Sequence, residues 1–279
     1  MPHLQYRLLN VFAETPFGGN PLAVIEDGSA LSDTEMQLVA RQFNLSETTF
    51  LLPSDNATAR VRIFTPGYEM PFAGHPTLGS AQVVRHLYDC GDQLTLEMKA
   101  GVIPVRADGN YWTLQSVNAP TIRPMEIDSA RLAAMLGLPE EAIASQGLWV
   151  SVGNEQALIE LRSVEHIHAC KPVAELMRRY SVNSAGQPKA YVFARTREGF
   201  ESRFFWSPDS NVSEDPGTGS AAANLGGWWL ARHGDSPLDA TIRQGTAMGR
   251  PNVLRLQVAD NKIQVGGSVV ELGRGELRW

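Results

Sequence analysis

The side chains able to move a proton cluster in a few short strings of this chain. Glu47 lies in NLSETTF, just past a helix end and at the mouth of an apolar strand. A carboxylate held partly out of water there would exchange protons near neutral pH, whereas one facing solvent would only end the turn. His75 stands between Gly74 and Pro76, which fix the backbone on both sides. Its imidazole is suited to proton transfer, to binding a carboxylate or to a structural hydrogen bond. Asp215, in EDPGTGSA, is the third candidate, and Glu69 and Glu214 are weaker ones that would brace their loops.

Other chemistries find little support. His166-x-His168 offers two ligands from a strand, but no spacing of further ligands completes a metal site. GTGSA is neither a dinucleotide fingerprint nor a phosphate-binding loop. No G-x-S-x-G elbow occurs. Cys90 and Cys170 form no disulfide framework or thiolate cluster, and Cys170 reads as structural. The expectation is an enzyme with no cofactor and no metal.

The elements that must position these residues are legible from pattern. Leu31–Phe43 is a helix with a capping box at Ser32 and Glu35. Ala59–Phe64 alternates arginine with apolar residues and reads as a half-buried strand. Thr65–Pro76 and Pro208–Gly217 read as irregular, followed by helices over Leu78–Leu87 and Thr218–Arg232. The strongest organising signal is an internal repeat: HPTLGSA at His75–Ala81 matches DPGTGSA at Asp215–Ala221. FTP at Phe64–Pro66 and WSP at Trp206–Pro208 extend the match upstream.

Two duplicated α/β (α+β) domains follow, each a curved, mainly antiparallel sheet around a central helix. Their expected bounds are 1–120 and 121–279, with a terminal strand free to cross over. If the copies are related by a pseudo-two-fold axis, helix starts near Gly79 and Gly219 face each other across a cleft. Free N–H groups at such starts, with Ser80 and Ser220 beside them, suit a carboxylate-bearing small molecule. The plainer alternative is that both glycines serve close helix–sheet packing.

Composition narrows the partners. The 279 residues carry a formal charge of −6 and are 43% apolar, an ordinary globular balance that argues against nucleic acid. The most apolar stretch, near Gly226–Ala231, is too short for a membrane span. No signal peptide is visible, so a cytoplasmic location is expected.

Together GGNPLAV (Gly18–Val24), NLSETTF (Asn44–Phe50), FTPGYEMPFAGHPTLG (Phe64–Gly79) and EDPGTGSA (Glu214–Ala221) resemble the phenazine-biosynthesis PhzF-like proteins. The resemblance runs over essentially the whole chain and includes Gln244-Gly245 and Gly249–Pro251. It implies a diaminopimelate epimerase-like fold, a homodimer, and a cofactor-independent isomerase acting on a small carboxylic acid. By the same resemblance Glu47 is the acid/base group, and His75 and Asp215 contact or orient the substrate. Asn20, Ser46, Gly74, Gly219 and Ser220 are implied as substrate-binding positions. The related epimerases use paired thiols, but Gly74 stands where the first would be and neither cysteine lies in a matching motif. Two other readings stay open: an epimerase or racemase working without paired thiols, and a non-catalytic carboxylate-binding protein.

Overall fold

The computed structural model describes residues 3–116, 118–208 and 210–278. It divides into two compact units, Met1–Gln115 together with Gly266–Trp279, and Ser116–Val265. No helix among the described residues is long and apolar enough to cross a membrane.

The first unit contains β1 (His3–Val11), β2 (Asn20–Ile25), α1 (Asp33–Phe43), β3 (Glu47–Leu52), β4 (Ala59–Phe64) and β5 (Glu69–Met70). It continues through α2 (Gly74–Tyr88), β6 (Gln93–Met98), β7 (Gly101–Asp108) and β8 (Tyr111–Gln115). The second unit contains β9 (Thr121–Pro124), α3 (Ser129–Leu136), β10 (Leu148–Ser151), β11 (Gln156–Glu160), α4 (Val164–Ala169) and α5 (Ala174–Tyr180). Then follow β12 (Lys189–Arg195), β13 (Gly199–Trp206), β14 (Ser213–Asp215), α6 (Gly219–His233), β15 (Leu238–Gln244) and β16 (Asn252–Ala259). The last strand, β17 (Lys262–Arg278), starts in the second unit and finishes in the first.

Local chemistry explains the boundaries. Ser32 accepts from the Glu35 N–H while the Glu35 carboxylate takes the Ser32 N–H, the reciprocal cap expected for α1. Asn44, at φ 52°, ends that helix and turns the chain toward β3. Asp128 caps α3 through the Arg131 N–H.

In the first unit the strands close on themselves. β17 pairs with β1, β1 with β2, β2 with β3, β3 with β4, β4 with β6, β6 with β7, β7 with β8, and β8 again with β17. Closure leaves no unpaired edge in that ring. β2–β3 and β4–β6 pair in parallel. α2 packs against β1, β2, β3, β4, β6 and β8, and every residue from Gly74 to Val84 is buried. A helix buried on all sides cannot be amphipathic, which accounts for the small, weakly polar composition of HPTLGSAQVV.

The second unit repeats the pairing scheme. β11 runs parallel to β12, β12 antiparallel to β13, β13 antiparallel to β14 and parallel to β15, and β15 antiparallel to β16. That is the order of directions from β2 through β7. α6 takes the place of α2 and packs on β9, β10, β11 and β16. Its Trp228 meets Phe193 edge-on at 4.9 Å, both rings fully buried. Burying each such side chain contributes roughly 1.5–3 kcal/mol. The expected architecture, an α+β fold of curved sheets around central helices, is present.

One expectation is corrected. Gly79 lies inside α2 and not at its start. A Cβ there would come within 2.5 Å of Leu22 Cδ2 and 3.0 Å of Val11 Cγ2, so this glycine serves close packing of helix on sheet. Ser80 likewise points inward, its hydroxyl on Thr49 Oγ1 at 2.9 Å. The helix begins four residues earlier than the sequence indicates because Pro76 falls in its first turn, where a missing N–H is harmless.

Candidate active site

Each unit holds part of the residue set singled out by sequence. In the first, Glu47 opens β3 directly after Ser46, and Leu22 of β2 is its register partner. Strand periodicity puts Glu47 on the same face as Thr49, and Thr49 is bonded to Ser80 of α2. Glu47 therefore faces α2 near its start, where His75 follows Gly74. Glu47 Oε2 and His75 Nε2 are 3.4 Å apart, with side chains 15% and 7% exposed. His75 also bonds the Pro21 carbonyl, and burial pushes its imidazole down to about 3. Asn20, adjacent to Pro21, is fully buried at the start of β2. Asn20, Glu47, His75 and Gly74 thus come together at the junction of β2, β3 and α2.

In the second unit Asp215 closes β14 and α6 starts at Gly219. The two repeats diverge here, since His75 is helical and its repeat partner Asp215 is on a strand. The Thr218 hydroxyl donates to Asp215 Oδ2. Gln244 fixes that direction. Its Oε1 accepts from the Thr218 N–H at 3.2 Å. Its Nε2 donates to Thr218 Oγ1 at 3.0 Å and to the Asp215 carbonyl at 2.8 Å. The Thr218 hydroxyl thus accepts from Gln244 while its single O–H donates to Asp215. The neighbouring Gly245 has φ 80°, and a Cβ there would lie 2.6 Å from the Pro216 carbonyl, so only glycine lets this loop approach.

Ser220 lies in the first turn of α6 and accepts from Gln156 Nε2 at 3.0 Å. Asn224 holds Gln156 in place by donating to its Oε1 at 2.9 Å. Gln244-Gly245 carried no assigned role in the sequence, and Thr218, Gln156 and Asn224 went unread as supports. A buried amide two or three strands away leaves no spacing signal in the chain.

Glu69 and Glu214, the weaker acid/base candidates, brace their loops. Glu69 accepts both arms of Arg62 at 2.8 and 2.9 Å, and Lys99 at 2.5 Å. Glu214 accepts both arms of Arg203 at 2.8 Å. The two forks occupy corresponding places in the repeat, β4 to β5 and β13 to β14. Arg62 is therefore engaged, not solvated as strand alternation implied. His166 and His168 lie on helix α4, not on a strand. Burial pushes the Cys170 thiol up to about 12, which keeps it protonated and unreactive.

The Arg62 fork holds the Glu69 carboxyl below its usual range. A carboxylate depressed in the folded state stabilises the fold above its unfolded value and loses that contribution as pH falls through the folded one. Wild type is expected to exceed Glu69→Gln by about 1–3 kcal/mol at pH 7, with the gap closing below pH ~4. Urea unfolding of both proteins at pH 7, 5 and 3.5 measures it. A gap that does not shrink in acid would remove the ion pair as its cause.

The curved sheets, their central helices and the loops that precede them define the diaminopimelate epimerase-like class of α+β proteins. A PhzF-family protein of Bacillus anthracis has the same fold, with a TM-score of 0.90 over 100% of both chains at 23% identity. The family model described as phenazine biosynthesis-like protein matches residues 9–275, and the chain belongs to this PhzC-PhzF family. An uncharacterized isomerase of Pasteurella multocida is 41% identical, the match covering 98% of this chain and 93% of that protein. The trans-2,3-dihydro-3-hydroxyanthranilate isomerase of Pseudomonas chlororaphis is 33% identical, with 98% of each chain covered. Membership places the chain among isomerase- and epimerase-type enzymes.

Proposed function

We propose that this protein is a cofactor-independent isomerase that relocates a proton on a small amino or unsaturated carboxylic acid, with Glu47 as the group that carries the proton. The observation behind this reading is the half-buried Glu47 carboxyl, whose inward Oε2 lies 3.4 Å from a buried imidazole. A carboxyl group so placed can take a proton from one carbon and return it to another on the same face. No redox change is needed, since the C–H bond broken at one carbon is replaced by one formed at the other while the double bond shifts. His75 positions a polar group of the substrate. Asp215, which accepts from the Thr218 hydroxyl, takes a second one. Gly219 and Ser220 serve the substrate carboxylate through peptide N–H groups and a hydroxyl at the start of α6, with Ser46 in support. The Pseudomonas chlororaphis relative is named for such an isomerisation.

The test is a screen of small amino, hydroxy and unsaturated carboxylic acids in heavy water, read by mass spectrometry and by chiral analysis. Deuterium entering a carbon distinct from the one that lost hydrogen supports the isomerase. Inversion at one carbon without double-bond movement would replace it with an epimerase. Binding of acids with no exchange at all would leave only a binding protein.

A further inference from the structure

Two side-chain amides lie beneath the start of α6, and the backbone around them dictates which way each one points. Asn224 follows Ser220 by one helical turn on the same face of α6. Its Oδ1 accepts from the Val152 N–H at 2.8 Å, and its Nδ2 donates to the Asn154 carbonyl at 2.8 Å. A peptide N–H only donates and a carbonyl only accepts, so these two contacts permit one orientation of the amide. Nδ2 also donates to Gln156 Oε1 at 2.9 Å. That leaves Gln156 Nε2 to meet Ser220 Oγ at 3.0 Å. An amide nitrogen only donates, so Ser220 is the acceptor of this bond and its single hydrogen points elsewhere.

The alternative arrangement is costly. Turning Gln156 over would set its Nε2 against Nδ2 of Asn224, two donors face to face, and both amides are fully buried. Ser220 itself is half-buried, and among the described residues its hydroxyl hydrogen has no acceptor. Ser80, which holds the matching place in the repeat, behaves differently: it is fully buried and donates to Thr49 Oγ1 at 2.9 Å. One serine is spent inside its unit and the other is kept available.

We propose that Asn224 and Gln156 are positioning residues, a directional relay anchored on the backbone of residues 152–154 that holds the Ser220 hydroxyl as a donor toward the ligand. This rests on the proposed function and deepens it. The Gly219 and Ser220 N–H groups lie in the first turn of α6 and have no carbonyl of their own helix to meet. The hydroxyl adds a third donor beside them. Such a set suits an anionic oxygen group such as the substrate carboxylate and disfavours an ammonium. A hydroxyl already turned outward also loses little rotational freedom on binding.

Neutron diffraction from crystals of deuterated, unliganded wild type reads the relay directly. The expected map shows a deuteron of Gln156 Nε2 aimed at Ser220 Oγ and the Ser220 deuteron turned away from Gln156. A Ser220 deuteron lying on Gln156 would overturn the proposal. The second arm titrates benzoate by calorimetry into wild type, Gln156→Met, Ser220→Ala and the double variant. Methionine is close to glutamine in size, and Asn224 keeps both backbone partners, so these proteins should fold with similar unfolding midpoints. Gln156→Met is expected to weaken benzoate about 5-fold when Ser220 is present and to change nothing once it is alanine. Equal losses in the two backgrounds would refute the relay. Gln156→Glu, which as a carboxylate can only accept, should capture the Ser220 hydrogen and weaken benzoate by more than ~10-fold. Binding by the Glu variant as tight as by the Met variant would also count against the relay. If wild type does not bind benzoate, the carboxylate reading of the α6 start falls, and the neutron map decides the relay alone.

Discussion

Glu47→Gln is expected to lower proton exchange by about 10³-fold, the scale of a lost acid/base group, while leaving substrate binding within a few-fold of wild type. The side chains have the same shape, and glutamine keeps a polar atom where Oε2 now lies 3.4 Å from His75 Nε2. The fold should therefore be undisturbed, and the unfolding midpoint should match that of wild type. Glu47→Asp makes a sharper comparison. It keeps the carboxyl but withdraws it by one methylene, and a displacement near 1 Å costs on the order of 10²-fold. The expected order is wild type, then Asp, then Gln, with the losses in kcat and not in KM. Single-turnover exchange in heavy water, together with binding measured separately, gives both quantities. Exchange by the Gln variant at the wild-type rate would take the proton chemistry away from this residue.

The largest effect on stability is expected at Arg203. Both arms of its guanidinium are held by Glu214 at 2.8 Å. It also donates to the Cys170 carbonyl at 2.9 Å and the Ile167 carbonyl at 3.2 Å, and it lies over the Phe205 ring at 4.7 Å. Both partners of the ion pair are nearly buried. Arg203→Met strands the Glu214 carboxylate in the protein and should cost about 3–5 kcal/mol. That corresponds to a midpoint lowered by roughly 10 °C for a chain of this size. Lysine keeps the charge without the fork and should recover only part of the loss. The double variant Arg203→Met with Glu214→Leu should regain much of it, since no charge is then left unpaired. Thermal and urea unfolding of the four proteins tests this, and a single variant within 1 kcal/mol of wild type would refute it. Asp215 follows Glu214 directly on β14, so the same change should also loosen that strand at Asp215.

Much of this was legible before any coordinates. The repeat at HPTLGSA and DPGTGSA is readable because proline and glycine restrict the backbone and so survive as a visible pattern. The capping box of α1 and the cap at Asp128 are local chemistry, written within four residues. The start of α2 was not legible, because Gly-His-Pro looks like a helix breaker unless one knows that it occupies the first turn. Nor were the forks from Arg62 and Arg203. Their partners lie seven and eleven residues on, across turns whose geometry sets the register. Glu69 and Glu214 carry the same charge and near-site placement as Glu47. What separates them is an arginine beside each, and only packing reveals it.

The path of β17 has a consequence for how the molecule is made. β1 and β8 emerge from the ribosome early, yet the strand that both must clasp is built only after all of Ser116–Val265. The earliest barrel is thus the last to be sealed. Until then its β1 and β8 borders stay open to misplaced neighbours, and a nascent chain stalled before Gly266 should be the form that chaperones hold and proteases find.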